Sequence, residues 1–248
     1  MTAKGKQHRG MDVWYDDATQ EYTSVGAHIQ FSEDFQGAGH TATIPAMGSP
    51  VAGYPWVKKT QGTPTGVAAV ANAPGGQLSL ALAATSEKEE ASLTQNDQLT
   101  WNTTKTIIYQ AWINLSVLPS AAGVQAVWGL SSAWIDGPNN ASYYVQFGCT
   151  ANGAVSMRVQ DGVSQRSVAS GVTVTAGTWH LYRIEVDFSG VLHFFIDGIE
   201  YSTSLAPLTW GATGANALLQ PYHSVYKPSG TGVATMLIDS IDLWSPRG

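Results

Sequence analysis

The chain has 248 residues, 44% of them hydrophobic and only 12% charged, with a formal net charge of −6. Such a length and apolar share can fill one large core, and the negative balance excludes general nucleic-acid binding, which needs a basic face. A single cysteine, Cys149, excludes an intrachain disulfide, and no apolar run approaches the span of a bilayer.

Residues 1–29 read as an irregular arm. Its start carries Lys4, Lys6, His8 and Arg9 with no acid, and Trp14-Tyr15 precede Asp16-Asp17. Two readings stand: a frayed terminus, or an arm in which these cations and aromatics dock on a partner. The polar start lacks the apolar segment of a secretory signal, so synthesis in a cytoplasm without an N-terminal export signal is expected.

The body is expected over residues 30–248. Residues 29–35 alternate apolar and polar, as a strand with one buried face does. Short strands are expected near 54–60 and 66–71, then a firm one over 77–85, where Leu78, Leu80 and Leu82 share a face. Residues 86–90, with Glu87, Glu89 and Glu90, read as a solvated charged turn. A weak strand and loop follow over 91–101, and a strong strand over 106–115.

Residues 124–130 are apolar throughout, as in a central strand. The polar loop 134–142 leads into a hairpin over 143–150 and 155–160. Cys149 lies in an apolar run and reads as a buried structural thiol. From Trp179 the period of two is clear: Tyr182, Ile184, Val186 and Phe188 point one way, Arg183, Glu185 and Asp187 the other. Ser189-Gly190 and Asp197-Gly198 then make tight turns, the second being a strong hairpin signal because a type I′ turn needs positive φ. Strands over 218–225 and 233–244 close the chain. A dozen short strands and no helical window give an all-β fold, an antiparallel jelly-roll β-sandwich with an irregular N-terminal extension.

Ser32-Glu33-Asp34-Phe35, the run Trp179 to Val186 leading to Phe195-Ile196-Asp197-Gly198, and the final Leu237 to Trp244 resemble the concanavalin A-like lectin/glucanase jelly roll over about residues 30–245. In composition, the chain also resembles jelly-roll proteins of tailed-bacteriophage structural gene clusters, which share low charge, an irregular leader and no signal peptide.

Glycosidases of the resembled fold carry Glu-x-Asp-x-x-Glu on one strand. Here Glu185 and Asp187 fit the first two places, but Gly190 holds the third, so the acid partner is missing. Those two carboxylates then read as solvated residues on a sheet face. No nucleophile elbow occurs, and His8, His28, His40, His180, His193 and His223 lack metal-ligand spacing; His180 and His193 read as a cross-strand pair. No cofactor is expected. The loop with Trp134, Asp136, Asn139 and Asn140, beside Tyr143, has the oxygen ligands and aromatic ring with which lectins of this fold hold calcium and sugar.

The leading expectation is a non-enzymatic virion protein that decorates a bacteriophage capsid. It would bind the major capsid protein or other virion subunits through Lys4, Lys6, Arg9, Trp14 and Tyr15, with a homotrimer as one option for its oligomer. The alternative is a carbohydrate-binding module of a head or tail fibre that reads host glycans, and a third is an endoglycanase.

Overall fold

The structure is a computed structural model. It describes residues 3–8, 11–16, 22–25, 28–35, 44–47, 49, 55–96, 101–187, 189–201 and 218–246, with side chains from residue 29 onward. In chain order the strands are β1 (Ala3–His8), β2 (Met11–Asp16), β3 (Tyr22–Val25), β4 (His28–Glu33), β5 (Val57–Gln61), β6 (Gly66–Ala69) and β7 (Leu78–Ala81). They continue with β8 (Glu89–Thr94), β9 (Trp101–Asn102), β10 (Ile107–Val117), β11 (Gln125–Ser131), β12 (Tyr143–Cys149) and β13 (Ala154–Asp161). The last are β14 (Gln165–Thr173), β15 (Trp179–Val186), β16 (Leu192–Ile196), β17 (Ile199–Glu200), β18 (Leu218–Lys227) and β19 (Thr235–Pro246).

Two antiparallel sheets face each other. The first runs β17-β16-β15-β10-β19-β7-β6, and β4 lies beside β19 next to β7. The second runs β14-β13-β12-β11-β18-β8-β5, with β9 beside β18. This is the expected all-β jelly-roll sandwich, with additional strands. The additions include the stretch expected to be irregular: β1, β2 and β3 pair as a separate antiparallel sheet.

The alternation seen from Trp179 onward is explained by what each face meets. Tyr182 and Phe194 of the first sheet point inward against Trp128 and Phe147 of the second. Trp128 and Tyr182 meet edge to face at 4.7 Å, and Phe147 and Phe194 do so at 5.0 Å, the arrangement ring quadrupoles favour. Asp197 and Gly198 both take positive φ, 51° and 80°, as the expected tight turn requires. Cys149 is wholly buried in the same core, and burial pushes its thiol up to about 12.

Strand β19 carries one irregularity that matters below. Its inward residues are Met236 and Ile238, then Ile241 and Leu243. The parity changes because Trp112 pairs with Ser240 while Ile113 pairs with Ile238, leaving Asp239 as the extra residue of a β-bulge.

Candidate functional site on the outer face of the second sheet

In β8 and β18 the core takes Ala91, Leu93, Leu219 and Val225. Alternation therefore turns Glu90, Ser92 and Thr94, and Gln220, Tyr222 and Ser224, to the outer face. All six are buried nonetheless. They converge on Glu90. Its Oε1 accepts hydrogen bonds from Ser92 Oγ at 2.6 Å, Tyr222 OH at 2.8 Å, Ser224 Oγ at 2.9 Å and Trp134 Nε1 at 3.1 Å. Its Oε2 is buried with no hydrogen-bond partner. The Tyr222 phenol sits well above its ordinary pKa, first through burial and then through the Glu90 charge, so it stays protonated and donates. Thr94 Oγ1 and the backbone N–H of Gln95 extend the network by donating to Gln220 Oε1 at 2.8 and 3.1 Å.

The cover is the loop between β11 and β12. Trp134 lies over Glu90 and is half-buried, with the Lys59 ammonium 4.8 Å from its ring centroid. Farther along, Arg158 Nη1 donates to Gln125 Oε1 at 2.6 Å and to Asn139 Oδ1 at 3.2 Å. Asn139 Nδ2 also donates to Gln125 Oε1, at 3.1 Å, and Gln146 Nε2 donates to the carbonyl of Pro138 at 3.3 Å. Gly148 makes this possible: a Cβ there would stand 2.3 Å from the Arg158 guanidinium. Asp136 pairs with Lys88, whose hydrogen bond holds the carboxyl below its usual range. Asn140 Nδ2 donates to the Asp136 carbonyl at 2.6 Å and stays exposed.

The structure thus gathers Trp134, Asp136, Asn139 and Asn140 in one loop, with Asn139 committed to Arg158 and Gln125. Tyr143 does not join them. It packs against the core cluster, while Tyr144 points outward and accepts from Gln165 Nε2 at 2.6 Å. Among the described residues no group of three His, Cys, Asp or Glu is placed to hold a metal ion. Arg9 and the side chains of Lys4, Lys6, Trp14 and Tyr15 lie outside the described residues; in the backbone, Lys4 is opposite Tyr15 and Gly5 opposite Trp14.

Three expectations about charged groups are corrected. Glu89 and Glu90 are not solvated: both are fully buried at the start of β8. Glu89 lies 3.4 Å from Lys227 Nζ, which also donates to the carbonyls of Ala83 and Thr85 at 2.6 Å. Glu185 is also fully buried, 3.0 Å from Arg183 Nε, and the Arg183 guanidinium stacks 4.2 Å from the centre of Phe195. Asp187 accepts from the backbone N–H and hydroxyl of Ser189, both at 2.6 Å, and so closes the hairpin turn. His180 and His193 do not face each other; His180 binds Asp197 at 2.7 Å, and His193 binds Glu200.

Comparison with known proteins agrees with this architecture. The family model described as the concanavalin A-like lectin/glucanases superfamily matches residues 85–245. No curated protein matches the chain. Among solved structures, the chain resembles an endo-acting O-glycanase of the human gut microbiota at 12% identity and TM-score 0.57, covering 88% of this chain and 99% of that one. It resembles alginate lyase A1-II′, of polysaccharide lyase family 7, at 17% identity and TM-score 0.52, covering 71% and 82%. It resembles the carbohydrate recognition domain of Emp47p at 10% identity and TM-score 0.50, covering 82% and 95%.

These findings overturn the capsid expectation. The O-glycanase, the alginate lyase and the carbohydrate recognition domain, which share the fold over most of both chains, are carbohydrate-active or carbohydrate-binding, not virion components. The likeness to phage structural proteins rested on composition alone, and low charge suits a glycan-facing surface equally well. The bacteriophage virion setting, the decoration role, the trimer on a shell and the major capsid protein as partner fall with it. The reading as a non-enzyme is also overturned. It rested on the missing Glu-x-Asp-x-x-Glu triplet, and a polysaccharide lyase uses the same fold.

Proposed function

The chain belongs to the concanavalin A-like lectin/glucanases superfamily, and on that premise we propose that it is a carbohydrate-binding protein holding glycan at the Trp134 edge of the second sheet's outer face. One observation carries this reading. The half-exposed Trp134 indole is fixed from two sides, by its Nε1–H on Glu90 and by Lys59 over its ring. A ring held in place before binding loses little entropy when a sugar stacks on it. The exposed amide of Asn140 and the paired Lys88 and Asp136 supply hydroxyl-binding groups beside it. The purified chain on a glycan array tests the proposal. Selective binding that falls at least tenfold in Trp134→Ala supports it; binding to no glycan sinks it.

A second reading, polysaccharide cleavage at this face, draws on the 2.8 Å contact between Tyr222 and Glu90 and on the unpartnered Glu90 Oε2. A protonated phenol beside a carboxylate can give and take a proton at one scissile bond. Incubation with a panel of neutral and acidic polysaccharides would show new chain ends, lost in Glu90→Gln and Tyr222→Phe. Turnover unchanged in both variants would refute this assignment.

A further inference from the structure

The outer face of the first sheet carries a different feature. An open pocket of about 250 Å³ is lined by Gln77, Trp112, Trp179 and Asp239. Its residues come together through strand register. Trp112 faces outward on β10, and Trp179 opens β15 opposite Asn114, two positions along. The two half-buried indoles are therefore diagonal neighbours on adjacent strands. On the other side of β10, the bulge in β19 turns Asp239 out of the alternating pattern and into the pocket. Gln77, just before β7, hydrogen-bonds the Asp239 carboxylate.

Without Asp239 the strand would alternate regularly with Met236, Ile238, Ile241 and Leu243 still inward, so core packing does not call for the bulge. The extra residue sets a carboxylate beside an amide, on the side of Trp112 away from Trp179. The indoles offer flat apolar faces to the C–H side of a pyranose ring. The carboxylate and the amide accept from and donate to neighbouring hydroxyls. Charge narrows the choice. Asp34 acts on Asp239 electrostatically, and both burial and that neighbour raise the Asp239 carboxyl above its ordinary range. A ligand with a carboxylate or sulfate would meet the Asp239 carboxylate in the pocket, in a field that Asp34 already makes more negative. Near Trp179, Asn114 Oδ1 is buried without a hydrogen-bond partner, while its Nδ2 donates to the Gly177 carbonyl at 2.9 Å.

We propose that this pocket is a second carbohydrate site, opposite the Trp134 face, that takes one neutral hexopyranose residue of a glycan on Trp112, with Trp179 flanking it on one side and its hydroxyls on Asp239 and Gln77 on the other. The proposal rests on the carbohydrate-binding reading above, and its test separates the two. Isothermal titration of the full chain uses neutral gluco-, galacto- and manno-configured tetrasaccharides, with tetragalacturonate as the acidic probe. The variants are Trp112→Ala, Trp112→Phe, Asp239→Asn and Trp134→Ala, each checked for an unchanged melting curve.

A neutral tetrasaccharide is expected to bind, to lose at least tenfold in affinity in Trp112→Ala and Asp239→Asn, and to keep most of it in Trp112→Phe. Trp134→Ala should leave this component in place. Neutral-sugar binding lost in Trp134→Ala but untouched in Trp112→Ala and Asp239→Asn overturns the second site and leaves the first standing. Preference for tetragalacturonate at the Trp112 site overturns the neutral assignment. Binding of none of the four probes, together with a blank glycan array, removes both sites.

Discussion

The phenolic oxygen of Tyr109, on the first sheet, lies 2.8 Å from Nε2 of His223 on the second. Both side chains are fully buried, so this is a polar contact across the hydrophobic core. Burial pushes the Tyr109 phenol well above its ordinary range, so it keeps its proton and donates it. Nε2 must then accept, which leaves the imidazole neutral with its hydrogen on Nδ1, an atom without a hydrogen-bond partner. Burial also lowers the His223 pKa from 6.5 to about 3.

This depression sets an acid limb on stability. Between about 3 and 6.5 the unfolded chain binds a proton at this position and the folded chain does not. The unfolded state therefore gains as pH falls through that window, and stability falls with it. Denaturant unfolding at pH 7.0, 6.0 and 5.0 should show a steady loss in the wild type and a shallower one in His223→Gln. Parallel slopes in the two proteins would contradict the assignment.

The buried pair Lys227–Glu89 should behave as a coupled unit. Lys227→Met leaves Glu89 buried without its cation and is expected to cost about 3–5 kcal/mol. Adding Glu89→Gln should recover part of that loss, because the stranded charge is gone. A double-mutant cycle read by urea unfolding checks this, and additive effects would show that the two do not interact.

Gly129 lies in β11 with φ of 144°, and a Cβ there would stand 2.5 Å from the Val145 carbonyl oxygen and 2.9 Å from Ile184 Cδ1. Gly129→Ala therefore meets both backbone strain and overpacking. A loss of about 2–4 kcal/mol is expected, seen as a lower melting temperature. A melting point within a degree of wild type would show that the two sheets can separate locally at no cost.

Arg158 ties the 132–142 loop to the sheet through Gln125 and Asn139. Arg158→Ala should free that loop more than it harms the core. Limited proteolysis is expected to cut within the loop at least tenfold faster, with only a small change in melting temperature. Equal cleavage rates would mean that Trp134, the Lys88–Asp136 pair and the Asn139–Gln125 bond hold the cover without Arg158.

Much of the architecture could be read from residue patterns, and the reasons are local. From Tyr182 to Ile196 the alternation survives because one face meets a core and the other does not, and the Asp197-Gly198 turn is written in its two residues. The site was far less legible. Glu87-Lys88-Glu89-Glu90 looks like a solvated run, yet Glu89 is matched by Lys227 and Glu90 by Tyr222 and Ser224. Those partners stand more than 130 positions away, and spacing along the chain carries no trace of them. Glu185 was misjudged for a related reason. Alternation tells which residues leave the core, not whether another layer covers them. The bulge at Asp239 did leave a mark: Ile238 and Ile241 stand three apart where an even step was due.

That three-residue step has a consequence for how the molecule tolerates change. Because Asp239 stands outside the pairing, both halves of the last long strand stay in phase with β10 despite the added residue. Removing this one residue would join Ile238 to Ser240 in regular register and leave Met236, Ile238, Ile241 and Leu243 all inward. The interior would therefore survive a shorter strand, and what the extra residue adds is the carboxylate on the outer face.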